Sequence, residues 1–166
     1  MKKICEKCKR EFEARDPRHR YCLKCFVPPH NENEPIDGLL LKGYYDEHGN
    51  LLKEVYIDIP QRLANLFAND KPVLGTKQLR EFHQRISRAR NEAILRNIDV
   101  ARPILYKCQA ELEYQLKRGI VPISFVKFMR HHLSLAEKSE KSVEGFYEHL
   151  DSIICYFPIK KERGGE

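Results

Sequence analysis

The chain has 166 residues, 33% of them charged and 42% hydrophobic. That is the composition of a soluble globular protein with enough length for one real core, and it excludes a disordered chain. No apolar run approaches the roughly 20 residues of a membrane span. Lys and Arg number 30 against 24 Asp and Glu, a net charge of +6.

The charge is unevenly placed. Residues 1–30 hold 9 basic and 4 acidic side chains, residues 31–75 hold 4 and 8, and residues 76–166 hold 17 and 12. Two basic segments flanking an acidic one suit a polyanionic partner; the plainer reading is a surface charged for solubility. The opening MKKICEKCKREF carries basic residues with no apolar stretch behind them, so no signal peptide is expected and the chain is placed in the cytoplasm.

Residues 1–30 form a cysteine module. Cys5-x2-Cys8 is followed, after 13 residues, by Cys22-x2-Cys25. Each pair makes a tight knuckle that turns two thiolates toward one ion. Four thiolates close a tetrahedral shell, which suits one structural zinc and leaves no open position for chemistry. So short a segment cannot fold on apolar burial alone; structural zinc supplies roughly 10–16 kcal/mol of apparent binding energy. Phe12 and Tyr21 are candidates for the module's small core. Its surface is basic, with Lys7, Lys9, Arg10, Arg15, Arg18, Arg20 and Lys24. Such a ribbon binds nucleic acid, docks on protein or simply completes the fold. His19 and His30 stand nearby, but four cysteines already fill the shell.

Residues 31–59 read as an acidic linker and a β-hairpin. PPHNENEPID is rich in proline and acid. GLLLKGYY and LLKEVYI flank DEHGN, two apolar runs about an Asp/Gly/Asn turn. The hairpin is expected over about 39–57.

From residue 60 to 158 the pattern is helical, and 159–166 is expected to be a disordered tail. Pro60 opens a short helix to about 69. Thr76 is a candidate cap for a helix over 77–97, with Leu79, Phe82, Ile86, Ala89 and Ala93 at spacings of three and four. Asp99 is a candidate cap for the next helix, which Gly119 ends near Arg118. A helix from Pro122 carries Phe125, Phe128, Met129, Leu133 and Ala136. The last starts at Ser139 or Ser142 and carries Val143, Phe146, Tyr147, Leu150, Ile153, Ile154 and Phe157. Short connections make neighbours antiparallel, so the expected fold is mainly α: a compact antiparallel bundle of about five helices behind a zinc ribbon and a hairpin.

On the helix over 77–97, the face opposite the apolar stripe holds Lys77, Arg80, Gln84, Arg88 and Asn91, with no acid among them. A merely solvated face gains by mixing signs. A face of cations and amides matches phosphates and ribose hydroxyls. Lys127, Arg130, His131, Ser134 and Lys138 repeat the pattern more weakly on the helix from Pro122.

Catalytic constellations are missing: no paired carboxylates, no Gly-rich phosphate loop, no HExxH. His132 falls on an apolar stripe and reads as a core histidine. His131 is expected to face solvent beside Lys127 and Arg130, where it is a weak candidate for a general base in RNA cleavage. Cys108 and Cys155 both fall on apolar stripes and read as inert buried thiols.

Three stretches carry a family resemblance. GTKQLREFHQRISRARN, ARPILYKCQAEL and GFYEHLDSIICYF resemble the opening segment, second helix and closing amphipathic helix of the small helical subunit of type III-A CRISPR effector complexes, the Csm-type small subunit. The resemblance spans about residues 60–157. It implies a non-catalytic protein that stacks in several copies along guide RNA paired with target RNA, in antiviral defence. Its basic residues touch RNA phosphates without reading sequence. The implied partners are guide RNA, target RNA, the other effector subunits and further copies of the chain, with no membrane and no small-molecule substrate. Arg80 matches the arginine of the family's opening segment and Lys107 the basic residue of its second helix; Lys77, Arg88, Lys127 and Arg130 are added from the face pattern. This chain departs from the family in its cysteine module and hairpin, and in Glu111 and Glu113 on the second helix. The alternative is a zinc-ribbon adaptor or DNA-binding regulator whose helices dock a protein.

Overall fold

The computed structural model describes residues 2–5, 9–13 and 36–159. The chain divides into two compact units, Met1–Glu34 and Pro35–Glu166. In the first, strands β1 (Lys2–Ile4) and β2 (Glu11–Glu13) pair antiparallel, with Lys3 opposite Phe12. Tyr21, Lys7, Arg15, Arg18, Arg20, Lys24, His19 and His30 lie outside the described residues, as does the acidic linker up to Pro35.

The second unit is mainly helical: α1 (Ile59–Asn69), α2 (Thr76–Leu95), α3 (Ile98–Lys117), α4 (Ile123–Ala136) and α5 (Glu140–Tyr156). Helices α2 to α5 pack in a ring, each against its two neighbours, and α1 lies chiefly on α5. The stripes read from the sequence are the ones buried. Leu79, Phe82, Ile86, Ala89 and Ala93 of α2 meet Leu105, Cys108 and Leu112 of α3 in one core. Phe67, Phe82, Phe125 and Phe128 contact one another mostly edge to face, the arrangement that ring quadrupoles favour.

The ends of the helices have local causes. Ser139 caps α5 by accepting from the Ser142 amide. Gly119, at φ +68°, ends α3; its N–H donates to Leu116 O and that of Ile120 to Gln115 O, which satisfies two carbonyls of the last turn. Two expected caps are replaced. Asn97, not Asp99, accepts the Val100 amide at the start of α3. Asp99 instead pairs with Arg102 one turn on. Thr76 is the first residue of α2 rather than its cap, and Gly75 precedes it with no side-chain bond.

The expected hairpin over 39–57 is not formed. In place of two regular strands there is one bridge, Tyr45 to Leu51, with the Leu52 N–H donating to Tyr44 O and the Asp46 N–H to Asn50 O, both at 2.8 Å, around a turn in which Asp46 Oδ1 accepts from the amides of His48 and Asn50. Short 3-10 turns at Ile36–Leu39 and Lys53–Val55 flank it. Beyond this short pairing, the two apolar runs send their side chains into the helical core. Ile36, Leu39, Tyr44 and Val55 are buried in the main core, so the helical unit begins well before Pro60.

Two buried polar contacts tie this leading segment down. The Tyr44 hydroxyl and His132 Nδ1 are hydrogen-bonded at 2.6 Å, and His149 Nδ1 donates to Val55 O at 2.9 Å. Gly145 lets Tyr44 in: a Cβ there would lie 2.5 Å from the Tyr44 side chain. His132 is thus the core histidine that its place on the stripe implies. His131 is a correction. It does not face solvent but is half-buried, and its Nε2 donates to Leu41 O at 2.6 Å.

Both core histidines are fully buried, and neither Nε2 has a hydrogen-bond partner. Burial holds His132 well below the usual histidine range and pushes His149 down to about 4. The unfolded chain therefore binds these protons first, at about pH 6.5. Stability is expected to be full above pH 6.5 and to fall as the pH drops toward 4, by about 3 kcal/mol for His149 alone. Urea titrations at several pH values check this. The decline should begin above the carboxylate range and flatten in His149→Phe; constant stability between pH 7 and 5 contradicts it.

Candidate nucleic-acid interface

The α2 apolar stripe at Leu79, Phe82, Ile86 and Ala93 turns inward, so its opposite face must turn out. Lys77, Arg80, Gln84, Arg88 and Asn91 are all exposed there. The arginines of α2 divide by position. Arg85 reaches Glu111 of α3 at 3.6 Å, and Arg90 grips Glu144 of α5 through two hydrogen bonds of 2.6 and 2.9 Å. Arg90 also lies 4.6 Å from the Tyr147 ring centroid. Those side chains bind helices together. Arg80 and Arg88, which point outward, have no ion pair among the described residues. Lys77 has only an exposed contact of 3.9 Å to Glu81, which is worth little against solvent. No acid stands in the first turn of α2, so the positive end of the helix dipole adds to the field near Lys77 and Arg80.

Lys107 joins this face. Two residues connect α2 to α3, so the helices run antiparallel, and Arg85 meets Glu111 at their seam. Moving one turn up α2 from Arg85 to Arg88 matches moving one turn down α3 from Glu111 to Lys107. Arg88 and Lys107, both exposed, therefore stand at about the same height on either side of the seam.

The carboxylates on α3 that depart from the family pattern are both engaged. Glu111 takes Arg85, and Glu113 accepts two bonds of 2.7 Å from Arg130 of α4. The Arg130 hydrogen bonds hold the Glu113 carboxyl below its usual range. Arg130, one of the expected RNA contacts, is exposed but engaged: its guanidinium fork grips Glu113 and joins α3 to α4. Lys127, one turn earlier, is exposed and unpaired among the described residues. It lies on the α4 side of α3, so the structure does not gather it with the α2 cations.

Sequence reading missed two further cations on α3. Lys117 and Arg118 are exposed at its C-terminal end, where a cation reads as a partner of the helix dipole. Cys108 is buried, and burial pushes its thiol up to about 12. Cys155 is a correction: it is exposed, because nine residues place it on the side of α5 opposite buried Phe146, while Ile153, Ile154 and Phe157 of the same turn face the core.

Of the four cysteines read as metal ligands, Cys5 is buried at the end of β1, while Cys8, Cys22 and Cys25 lie outside the described residues. The chain reverses between Cys5 and Arg10. The Cys5 N–H donates to Arg10 O, the Lys9 N–H donates to Cys5 O, both at 2.9 Å, and Lys9 sits at φ +58°. Among the described residues, no three His, Cys, Asp or Glu side chains are grouped to hold a metal ion, and no helix is long and apolar enough to cross a membrane.

No protein-family model matches the chain, and no curated protein or solved structure matches it.

The Arg130→Ala variant tests the division between seam and surface. It should lower stability by up to about 1 kcal/mol, the range of a half-exposed pair, and leave affinity for a short RNA within about twofold. A loss of affinity matching that of Arg88→Ala, measured by fluorescence anisotropy, would return Arg130 to the interface.

Proposed function

We propose that the chain is a non-catalytic, RNA-binding structural subunit of a large ribonucleoprotein, of the type III-A CRISPR kind that its helical sequence resembles. The observation that carries the reading is the outward face of α2. Arg80 and Arg88 are exposed and unpaired among the described residues, beside Lys77, Gln84 and Asn91, while Arg85 and Arg90 are bound at the helix seams. Cations left unmatched on one face attract phosphate, and the amides among them suit ribose hydroxyls. Contacts of this kind hold guide RNA and target RNA by their backbones, so copies of the subunit can line a duplex of any sequence.

In this reading Cys5, Cys8, Cys22 and Cys25 hold one structural zinc. The reading rests on the spacing of the two Cys-x2-Cys pairs in the sequence; of the four, Cys5 is the one among the described residues, and it is buried. The metal supplies the folding energy that so small a unit lacks. The ribbon then serves as an added docking element within the complex. A zinc-ribbon adaptor whose helices dock protein is the competing reading, and it needs no unpaired cations on α2.

Binding is expected to be blind to sequence and sensitive to salt, with log affinity falling against log salt by about 0.7 per phosphate contact on a single strand. Arg80→Ala/Arg88→Ala should weaken all RNA sequences alike and reduce that slope by about 1.4. An unchanged slope would remove the α2 face from the interface. Separately, elemental analysis of the full chain should find about one zinc ion per chain, lost in Cys5→Ser/Cys22→Ser. Zero metal in protein purified without chelators contradicts the ribbon.

A further inference from the structure

We infer that α3 carries a second RNA-binding surface, an aromatic stripe on which unpaired bases stack. The inference rests on the RNA-binding reading above and adds the part of the ligand that phosphate contacts do not sense.

Tyr106, Ala110 and Tyr114 recur every fourth residue, so they line one stripe of α3. Leu105, Cys108 and Leu112 occupy the opposite, buried side. Tyr106 is 55% exposed and Tyr114 57%. Neither phenol has a hydrogen-bond partner among the described residues. Exposed Lys107 and Lys117 flank the rings, and the Arg118 guanidinium lies 5.6 Å from the Tyr114 centroid.

No free acid opposes these cations on α3. Asp99 is held by Arg102, Glu111 by Arg85 and Glu113 by Arg130. The stripe therefore joins exposed rings, one face of Tyr114 lying under Arg118, to positive charge that no carboxylate of α3 cancels. A purely apolar protein ridge would leave the cations unmatched. A single nucleic-acid strand matches both, since bases stack on the rings while phosphates meet Lys107, Lys117 and Arg118.

The spacing fits that ligand. Tyr106 and Tyr114 are about 12 Å apart along the helix axis, a distance that three or four stacked nucleotides span at about 3.4 Å each. A duplex keeps its base faces inside the stack and offers the rings little, so the stripe selects unpaired RNA.

The test uses the full chain and three end-labelled probes of equal length: oligoadenylate, an abasic ribose-phosphate strand and an RNA duplex. Fluorescence anisotropy at one salt concentration is read for wild type, Tyr106→Leu/Tyr114→Leu and Tyr106→Phe/Tyr114→Phe. Circular dichroism confirms that each variant is folded. Wild type should prefer oligoadenylate to the abasic strand about tenfold or more. The Leu variant should lose that preference yet bind the duplex within about twofold of wild type, and the Phe variant should keep it. Equal binding of oligoadenylate and abasic strand by wild type overturns the stripe and leaves the phosphate reading standing. So does a Leu variant that retains the preference. A Leu variant that changes only self-association in sedimentation assigns the stripe to protein contact and overturns it too. Failure of wild type to bind any probe removes the RNA-binding reading and the stripe together.

Discussion

Arginine–glutamate pairs at the helix seams determine what the surface of this bundle can do. Arg85 with Glu111 joins α2 to α3, Arg130 with Glu113 joins α3 to α4, and Arg90 with Glu144 joins α2 to α5. Each pair is half-exposed, so its contribution to stability is modest. Its larger effect is on charge placement. The carboxylates lie at the seams and are engaged there, while Arg80, Arg88 and Lys107 stand outside them with no such partner among the described residues. An ordinary net charge of +6 thereby becomes a local cationic face. Geometry makes the seam pairs harder to give up than their energy implies: the forks of Arg90 and Arg130 each make two bonds to one carboxylate, which lysine cannot reproduce.

The side of the molecule that carries α5 is built differently. There the leading segment and α1 lie on α4 and α5, and polar groups are taken into the core. His132 stacks near Phe128, Phe146 and His149, with ring centroids 4.5 to 5.3 Å away. Each histidine makes one hydrogen bond to the leading segment and leaves its other nitrogen unpaired. An unpaired buried nitrogen is costly, and an apolar side chain would avoid that cost. What the histidines provide is register: Tyr44 and Val55 each have one partner in the core, so a segment without regular strands still has a defined seat. The cost is a core that is stable only while its imidazoles remain neutral.

Much of this was legible in the sequence, and the exceptions share a cause. Helical periodicity identified Leu79, Phe82, Ile86, Ala89 and Ala93 as buried because every turn of α2 faces the same core. It failed where the deciding neighbour is remote in the chain. His131 points away from its helix's stripe, yet Leu41, 90 residues earlier, covers it. Arg130 belongs to a one-sign face in the sequence, but Glu113 comes from the preceding helix. The run from Leu39 to Val55 has the composition of a hairpin, and nothing local shows that its pairing stops at Tyr45 and Leu51 because the rest of both segments seats on the helices. Cys155 sits among apolar residues in the sequence, but at 100° per residue it falls opposite Phe146 and outside the stripe that Leu150 and Ile153 continue. The outward cations of α2 were legible because exposure on an amphipathic helix is itself periodic. That their neighbours Arg85 and Arg90 are spent at the seams was not.

If the chain binds RNA as proposed, the arrangement also fixes the direction from which the polyanion approaches. With α1 and the leading segment on the α5 side, no other described element of the helical unit lies over the outward faces of α2 and α3, and their shared seam sets Arg88 level with Lys107. On α2 the exposed groups are guanidinium, ammonium and amide, which bind phosphate and sugar regardless of base. On α3 the exposed groups include two phenol rings, which contact bases regardless of their identity. Neither surface reads sequence. In the proposed reading the two together would separate a paired strand from an unpaired one, because pairing hides base faces and leaves phosphates exposed. That property would suit the proposed role along a guide RNA, which is single-stranded before its target arrives and double-stranded after.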